Sequence, residues 1–162
     1  MRRARDAMLA CMSDEDIRIR WVDNADDLSA ALAVRVAVFC GEQGVPYDDE
    51  RDPLDDDAAH LVALAGDGDR VVATLRLLAE DNTARIGRVA VLADWRRRGI
   101  ASRMLALAVL RAREQGHARA RLAAQIGAKA LYEQAGFSVE SEPFDEAGIA
   151  HVWMGRELAA SL

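Results

Sequence analysis

The fold is decided by the stretch VAVLADWRRRGIAS, residues 89–102. Its apolar start predicts a buried strand, its three arginines form a short basic turn, and a helix begins at Gly99. The first N–H groups of a helix have no partner within the helix and lie at the positive end of its dipole. This junction therefore predicts a site for a phosphate or pyrophosphate. The alternative is an ordinary helix start with solvated arginines.

Two common nucleotide-binding motifs are absent from this junction. It contains neither the Walker sequence GxxxxGK[ST] nor the GxGxxG turn of dinucleotide-binding folds. An antiparallel meander of three predicted strands, over residues 60–92, also leads into the basic turn, whereas dinucleotide folds place their glycine-rich loop after the first strand. The order of elements therefore argues against a nucleotide-phosphate binder of another α/β class.

Apolar periodicity and turn residues predict the elements on either side. The predicted strands are residues 17–22, 60–65, 70–79, 84–92, 117–124, 137–140 and 150–156, the predicted helices are 26–40, 99–115 and 126–134, and 143–148 is a turn. Short turns join the strands at 60–92 into an antiparallel meander. The helix at 99–115 is a crossover, so the strands that flank it are parallel or splayed neighbours. The predicted fold class is α/β, of the α+β kind, with a mixed, mainly antiparallel sheet flanked by helices.

Length and composition bound the class of protein. The 162 residues predict one domain over residues 17–162, preceded by a flexible leader over residues 1–16. A net charge of −6 argues against a nucleic-acid partner, which requires a basic surface. Two cysteines and no Cys/His cluster favour a reduced cytoplasm and no metal. No stretch approaches the roughly 20 apolar residues of a membrane span, so no membrane partner is expected.

An acidic segment follows the first predicted helix. Seven of the ten residues from Asp48 to Asp57 are acidic. The favoured interpretation is a solvated loop that repels itself and stays extended. The alternative is a lip that attracts a cationic substrate.

Several segments, in order along the chain, resemble one family. Arg96-x-x-Gly99-x-Ala101 matches the pyrophosphate motif R/Q-x-x-G-x-G/A of the GNAT superfamily of N-acetyltransferases. Further segments resemble that superfamily and its small ElaA-like branch: VFCGEQGVPY (38–47), HLV (60–62), LAAQ (122–125), LYEQAGF (131–137) and GIAHVWM (148–154). The resemblance covers residues 17–156. It departs at Ala93-Asp94, where the family often has proline followed by an acid.

The resemblance implies acetyl-CoA as the donor, bound in a cleft between two splayed strands. The strand at Val89–Val91 would pair with the pantetheine arm, and an amide near Val91 would polarise the thioester carbonyl. The amides of residues 97–102 would hold the pyrophosphate. The implied donor-binding residues are Val89, Ala90, Val91, Arg96, Arg97, Arg98, Gly99, Ile100, Ala101, Ser102 and Gln125.

The catalytic candidates are a tyrosine, a glutamate and a histidine. Tyr132 is the candidate general acid, because a phenol can protonate a leaving thiolate; the alternative is a core tyrosine. The base is Glu42, His151 or water held by polar groups. The structural alternatives are a solvated carboxylate at a helix end for Glu42 and a packed strand histidine for His151. His60 and His117 are predicted to be structural.

The leading functional hypothesis is an N-acetyltransferase. It would move an acetyl group from acetyl-CoA to a primary amine by direct attack in a ternary complex. The alternative is a catalytically silent CoA-binding sensor or interaction module of the same fold. The acidic segment weakly favours a cationic acceptor, such as a polyamine, an amino sugar or a lysine side chain. The sequence leaves the oligomeric state open, with a homodimer as one alternative.

Overall fold

The computed structural model describes residues 16–66 and 70–158. Its strands are β1 Ile17–Trp21, β2 Ala59–Ala65, β3 Arg70–Glu80, β4 Thr83–Val91, β5 Arg119–Gln125, β6 Ser138–Val139, β7 Phe144–Glu146 and β8 Ile149–Glu157. Its helices are α1 Ala25–Arg35, continued by a π-helix over Val36–Glu42, α2 Tyr47–Glu50, α3 Ile100–Glu114 and α4 Lys129–Gln134. The predicted leader, apart from its last residue, and the tip of the β2–β3 hairpin lie outside the described residues.

All eight of these strands belong to one sheet. Its order is β1-β2-β3-β4-β5-β8-β6, with β7 pairing with β8. The strands β1 to β4 form an antiparallel meander, and β5 and β8 are also antiparallel. Only β4 and β5 are parallel, joined by the α3 crossover, and their pairing spans just Thr83–Arg85 against Arg119–Arg121. The mixed sheet and its splayed central pair are therefore confirmed.

The two faces of the sheet carry separate cores. Along β2, Leu61 and Ala63 pack in the core that contains α3, whereas Val62 and Leu64 pack in the core that contains α1. This alternation follows from the two-residue period of a strand, which sends successive side chains to opposite faces. The helices α1 and α3 therefore cover opposite faces. No helix in the described part of the chain is both long and apolar enough to cross a membrane.

One predicted turn was partly wrong. Residues 144–146 form β7, a short strand that pairs with β8, where the sequence predicted a turn over 143–148. The actual turn is only two residues long, Ala147 and Gly148, with φ of +52° and +77°. Two successive positive φ values give a tight hairpin, which leaves Phe144 free to enter the sheet. Its ring stacks on Trp153 of β8, with the ring centroids 5.6 Å apart.

The acidic segment is not a solvated loop, as the buried carboxylate of Glu50 shows. Glu50 is fully buried and accepts a hydrogen bond from Nε of Arg35, which is also buried. Arg35 also donates to both carboxylate oxygens of Asp55, at 2.7 and 3.0 Å. Burial alone would raise the pKa of Asp55, but hydrogen bonds and attraction from Arg35 and Arg76 lower it to about 2. Asp55 is therefore charged in the folded protein at neutral pH.

Two further arginines complete this network. Arg76 donates to both oxygens of Asp52, at 2.7 and 2.9 Å, and to Asp55 at 3.0 Å. Arg88 donates to Asp52 at 3.2 Å and to the backbone oxygen of Glu50 at 3.1 Å. Three arginines thus face three carboxylates, and the segment's remaining acids, Asp48, Asp49, Asp56 and Asp57, are exposed. We call the six paired residues, Arg35, Glu50, Asp52, Asp55, Arg76 and Arg88, the arginine–carboxylate network.

Removal of the central cation should destabilise the fold. Arg35→Met keeps an unbranched side chain but leaves the buried Glu50 without its main partner. We expect the free energy of unfolding to fall by about 3 to 5 kcal/mol, as for other broken buried ion pairs. Urea denaturation measures this change. Arg51→Met is the matched control, because Arg51 is exposed, and its change should stay within about 0.5 kcal/mol. Equal losses in the two variants would contradict the assignment.

Candidate active site

A cavity of about 550 Å³ opens where β4 and β5 diverge. It is lined by β4, the turn that follows it, the start of α3, the end of β5, α4 and the β7–β8 hairpin. The structure brings most of the predicted site residues together here. Those that line the cavity are Val89, Ala90, Val91, Arg96, Arg97, Gly99, Ile100, Ala101, Ser102, Gln125, Tyr132 and His151, whereas Glu42 and Arg98 do not.

The second half of β4 presents an unpaired edge to this cavity. The N–H of Leu92 donates to the oxygen of Val72 at 2.9 Å, so Leu92 faces β3. Neighbouring residues of an antiparallel ladder point their N–H and C=O groups to opposite sides. The backbone groups of Val91 and Val89 therefore point away from β3, towards the opening. The edge can accept an extended chain as an additional strand.

A β-bulge bends β4 just before this edge. The register against β3 shifts between Thr74–Ala90 and Arg76–Gly87, so two β4 residues, Arg88 and Val89, face one residue of β3. Arg88 adopts a left-handed conformation with φ of +51°, unusual for arginine. The arginine–carboxylate network holds its side chain. Burial, followed by the charges of Arg76 and Arg35, lowers the pKa of Arg88.

The bulge and its support were not predicted from the sequence. The available signal was Arg76, the one charged residue in the mostly apolar run of residues 71–79. An arginine on a buried strand requires a carboxylate partner, and the acidic segment at 48–57 was the obvious source.

The turn after β4 presents free backbone donors. Arg97 and Gly99 both have left-handed backbones, with φ of +63° and +74°. The hydrogen bonds of α3 begin with the N–H of Arg103, which donates to the oxygen of Gly99 at 3.1 Å. Within the described residues, no turn or loop bond uses the N–H groups of residues 97–102. A Cβ added at Gly99 would meet no heavy atom within 4 Å, so the space before this backbone is open. Such a run of amides is a concave anion site.

The three arginines of the turn have different surroundings. The Arg96 side chain donates to both oxygens of Glu42, at 2.8 and 2.9 Å, and to the oxygen of Val91 at 2.9 Å. Arg98 stacks over the ring of Trp95, 4.7 Å from its centroid, and faces away from the cavity lining. Arg97 is exposed, lines the cavity and makes no ion pair with any described residue. Arg97 is therefore the uncommitted cation of the turn.

Tyr132 lies on α4, with its side chain packed in the core and lining the cavity. Its hydroxyl makes no hydrogen bond to any described residue. Burial raises the pKa of Tyr132 to about 12. The hydroxyl therefore keeps its proton at physiological pH and can act only as a donor of that proton.

His151 lies on β8 and is buried. Its Nδ1 lies 2.7 Å from the oxygen of Ile149. Because a carbonyl only accepts, Nδ1 carries the hydrogen, and Nε2 of the neutral ring is left with its lone pair. The Nε2 atom lies 4.0 Å from a carboxylate oxygen of Glu146. The ring also stacks on Phe144, which fixes its orientation.

Metal-ligating side chains are dispersed in the described part of the chain. Residues 16–66 and 70–158 contain no group of three or more His, Cys, Asp or Glu placed to hold one metal ion. Cys40 is a free thiol.

The fold and site match known proteins. The model of the acetyltransferase (GNAT) domain family matches residues 24–158. The N-acetyltransferase YjcF of Bacillus subtilis is 32% identical over 135 residues, which cover 83% of this chain and 95% of that protein.

Two solved structures share the architecture. An acyl-CoA N-acyltransferase from Pseudomonas aeruginosa is 31% identical, with a TM-score of 0.75 over 86% of this chain and 99% of that one. Escherichia coli ElaA is 28% identical, with a TM-score of 0.77 over 87% of this chain and 99% of that one. The predicted resemblance is confirmed: the chain belongs to the GNAT family of acetyltransferases and is an acyltransferase.

Proposed function

We propose that this enzyme transfers an acetyl group from acetyl-CoA to a primary amine by direct attack in a ternary complex. The observation that carries the proposal is the unpaired edge of β4, which is followed after a short turn by the free amides of residues 97–102. A strand-like amide chain that ends in a pyrophosphate fits both features at once. The Pseudomonas aeruginosa relative is named for an acyl-CoA donor, which has this chemistry.

The chain's own groups would hold the donor along this line. The amides of residues 97–102 donate to the pyrophosphate, and Arg97 adds a charge at the mouth of the cavity. Val89 and Val91 pair with the amides of the pantetheine arm. The N–H of Val91, or its neighbour on the same edge, donates to the thioester oxygen and stabilises the negative charge that develops there. Gln125 faces the arm from β5.

Two side chains would move the protons. We assign the base to Nε2 of His151, because its lone pair is free and its ring is fixed. It takes a proton from the attacking amine as the C–N bond forms. Tyr132 then gives its hydroxyl proton to the sulfur as the C–S bond breaks. The burial that raises the pKa of Tyr132 keeps its hydroxyl protonated until the sulfur leaves. Glu42, the other candidate base, is paired with Arg96.

The acceptor is proposed to carry a second positive charge. The acidic segment keeps one unpaired carboxylate at the cavity, Asp49, and the β7–β8 hairpin supplies Glu146. The attacking nitrogen must be neutral, so these two carboxylates would attract a different, charged group of the acceptor. A polyamine, an amino sugar with a second amino group or a lysine side chain beside a basic neighbour fits this requirement.

Arg97 and Arg98 should differ in donor binding. Arg97→Ala removes the uncommitted cation at the cavity, whereas Arg98→Ala removes a side chain that stacks on Trp95. We expect Arg97→Ala to weaken CoA binding about 2- to 10-fold and to reduce its dependence on salt. Calorimetry with CoA at two salt concentrations measures both effects. A larger loss for Arg98→Ala than for Arg97→Ala would contradict the proposed donor position.

Tyr132→Phe should separate turnover from binding. The change removes one hydroxyl and keeps the ring that packs in the core. We expect kcat with acetyl-CoA and an amine to fall about 10²- to 10⁴-fold, while the Kd for CoA changes little. The matched control is Tyr47→Phe, because Tyr47 is exposed and lies outside the cavity lining. A kcat within a few-fold of the parent would contradict the acid role. No turnover by the parent across an amine library would favour the silent CoA-binding alternative.

Asp49→Asn should discriminate between acceptors. We expect kcat/KM for a diamine to fall about two- to fivefold, while that for a monoamine of equal length is unchanged, because only the diamine keeps a charge when its attacking nitrogen is neutral. The loss should shrink in high salt. Asp56→Asn is the control, since Asp56 is exposed and lies outside the cavity. Equal effects on diamine and monoamine would contradict a cationic acceptor.

A further inference from the structure

The end of the π-helix bridges the open end of the cavity. Glu42 is paired with Arg96, in the turn after β4. The next residue, Gln43, exchanges side-chain amide hydrogen bonds of 2.8 and 3.3 Å with Gln125, at the end of β5. Two consecutive residues therefore join the diverging strands β4 and β5. We call residues 42–43 the strap.

Arg96 occupies a position that the proposed donor requires. Its Nε donates to the oxygen of Val91, which lies on the unpaired edge of β4. Its guanidinium lines the cavity next to the free amides of residues 97–102. A pantetheine amide that pairs with Val91 competes for that oxygen, and a pyrophosphate on the amides competes for the guanidinium. The guanidinium carries one charge, which Glu42 already neutralises.

We propose that Glu42 is a positioning residue that competes with the donor for Arg96. The inference rests on the proposed donor site. A bound pyrophosphate draws the Arg96 guanidinium away from Glu42, which leaves the Glu42 carboxylate unpaired only in the donor complex. The loss of this ion pair frees one end of the strap.

This role predicts a gain of affinity, because removal of a competitor favours the donor. The Glu42–Arg96 pair is exposed, with 39% of the Glu42 side chain and 42% of the Arg96 side chain accessible, so the competition is modest. Exposed ion pairs contribute about 0.2 to 1 kcal/mol. We therefore expect Glu42→Gln to tighten CoA binding about 1.5- to 5-fold.

A double-mutant cycle tests the mechanism. CoA affinity is measured by calorimetry for the parent, Glu42→Gln, Arg96→Gln and the double variant. The gain from Glu42→Gln should disappear in the Arg96→Gln background, because Arg96 transmits it. Asp48→Asn is the matched control for a general loss of negative charge, since Asp48 is exposed on α2 and lies outside the cavity lining. It should leave the affinity unchanged.

Three results would overturn the inference while the proposed function stands. Unchanged or weaker CoA binding by Glu42→Gln would show that Glu42 does not compete for Arg96. A gain that persists in the Arg96→Gln background would show a through-space charge effect. A fall in kcat with an unchanged Kd would assign Glu42 to proton transfer. Absence of CoA binding by the parent would instead contradict the proposed function, and the inference with it.

Discussion

The site depends on a break in hydrogen bonding at the centre of the sheet. The strands β4 and β5 are parallel neighbours, but they pair only over Thr83–Arg85 and Arg119–Arg121. Beyond these residues the peptide groups of β4 that point away from β3 face a cavity instead of a strand. Unpaired backbone groups in an interior are costly, so such an edge is stable only where a side chain, water or a ligand satisfies it, as Arg96 does for the oxygen of Val91. The same break that costs hydrogen bonds thus leaves an edge that can accept an extended amide chain.

The arginine–carboxylate network explains how the edge keeps its shape. Buried ion pairs add little net stability compared with apolar packing. The main effect of the network is therefore to fix the positions of the side chains that support the bulge. Arg88 needs a left-handed backbone at the bulge, and its side chain is anchored on the oxygen of Glu50 and on Asp52. Arg35 and Arg76 fix those carboxylates in turn. The same ion pairs therefore fix the positions of the acidic segment, of the bulge and of the side of the cavity near Asp49.

The sequence predicted the order and pairing of the strands and helices better than the contacts between side chains that are distant along the chain. The meander and the α3 crossover follow from apolar periodicity and short turns, which are local properties, whereas the splay that opens the cavity was implied by the family resemblance. The position of the turn with free amides follows from Gly99 and the helix start. By contrast, the burial of Glu50 and the pairing of Glu42 with Arg96 join residues 15 and 54 positions from their partners, and no local pattern reports such contacts. The strand β7 was missed because its turn is set by a positive φ at Ala147, a residue without turn preference.

Amide hydrogen exchange, measured by NMR with and without CoA, shows directly whether the edge of β4 and the start of α3 hold the donor. We expect CoA to slow exchange at Val91, on the unpaired edge, and at Ala101, at the start of α3. Leu92 is the internal reference, since its N–H already donates to Val72 and reports only the general stabilisation by a ligand. Val91 and Ala101 should gain more protection than Leu92. CoA binding that protects other amides and leaves these two no better protected than Leu92 would contradict the account.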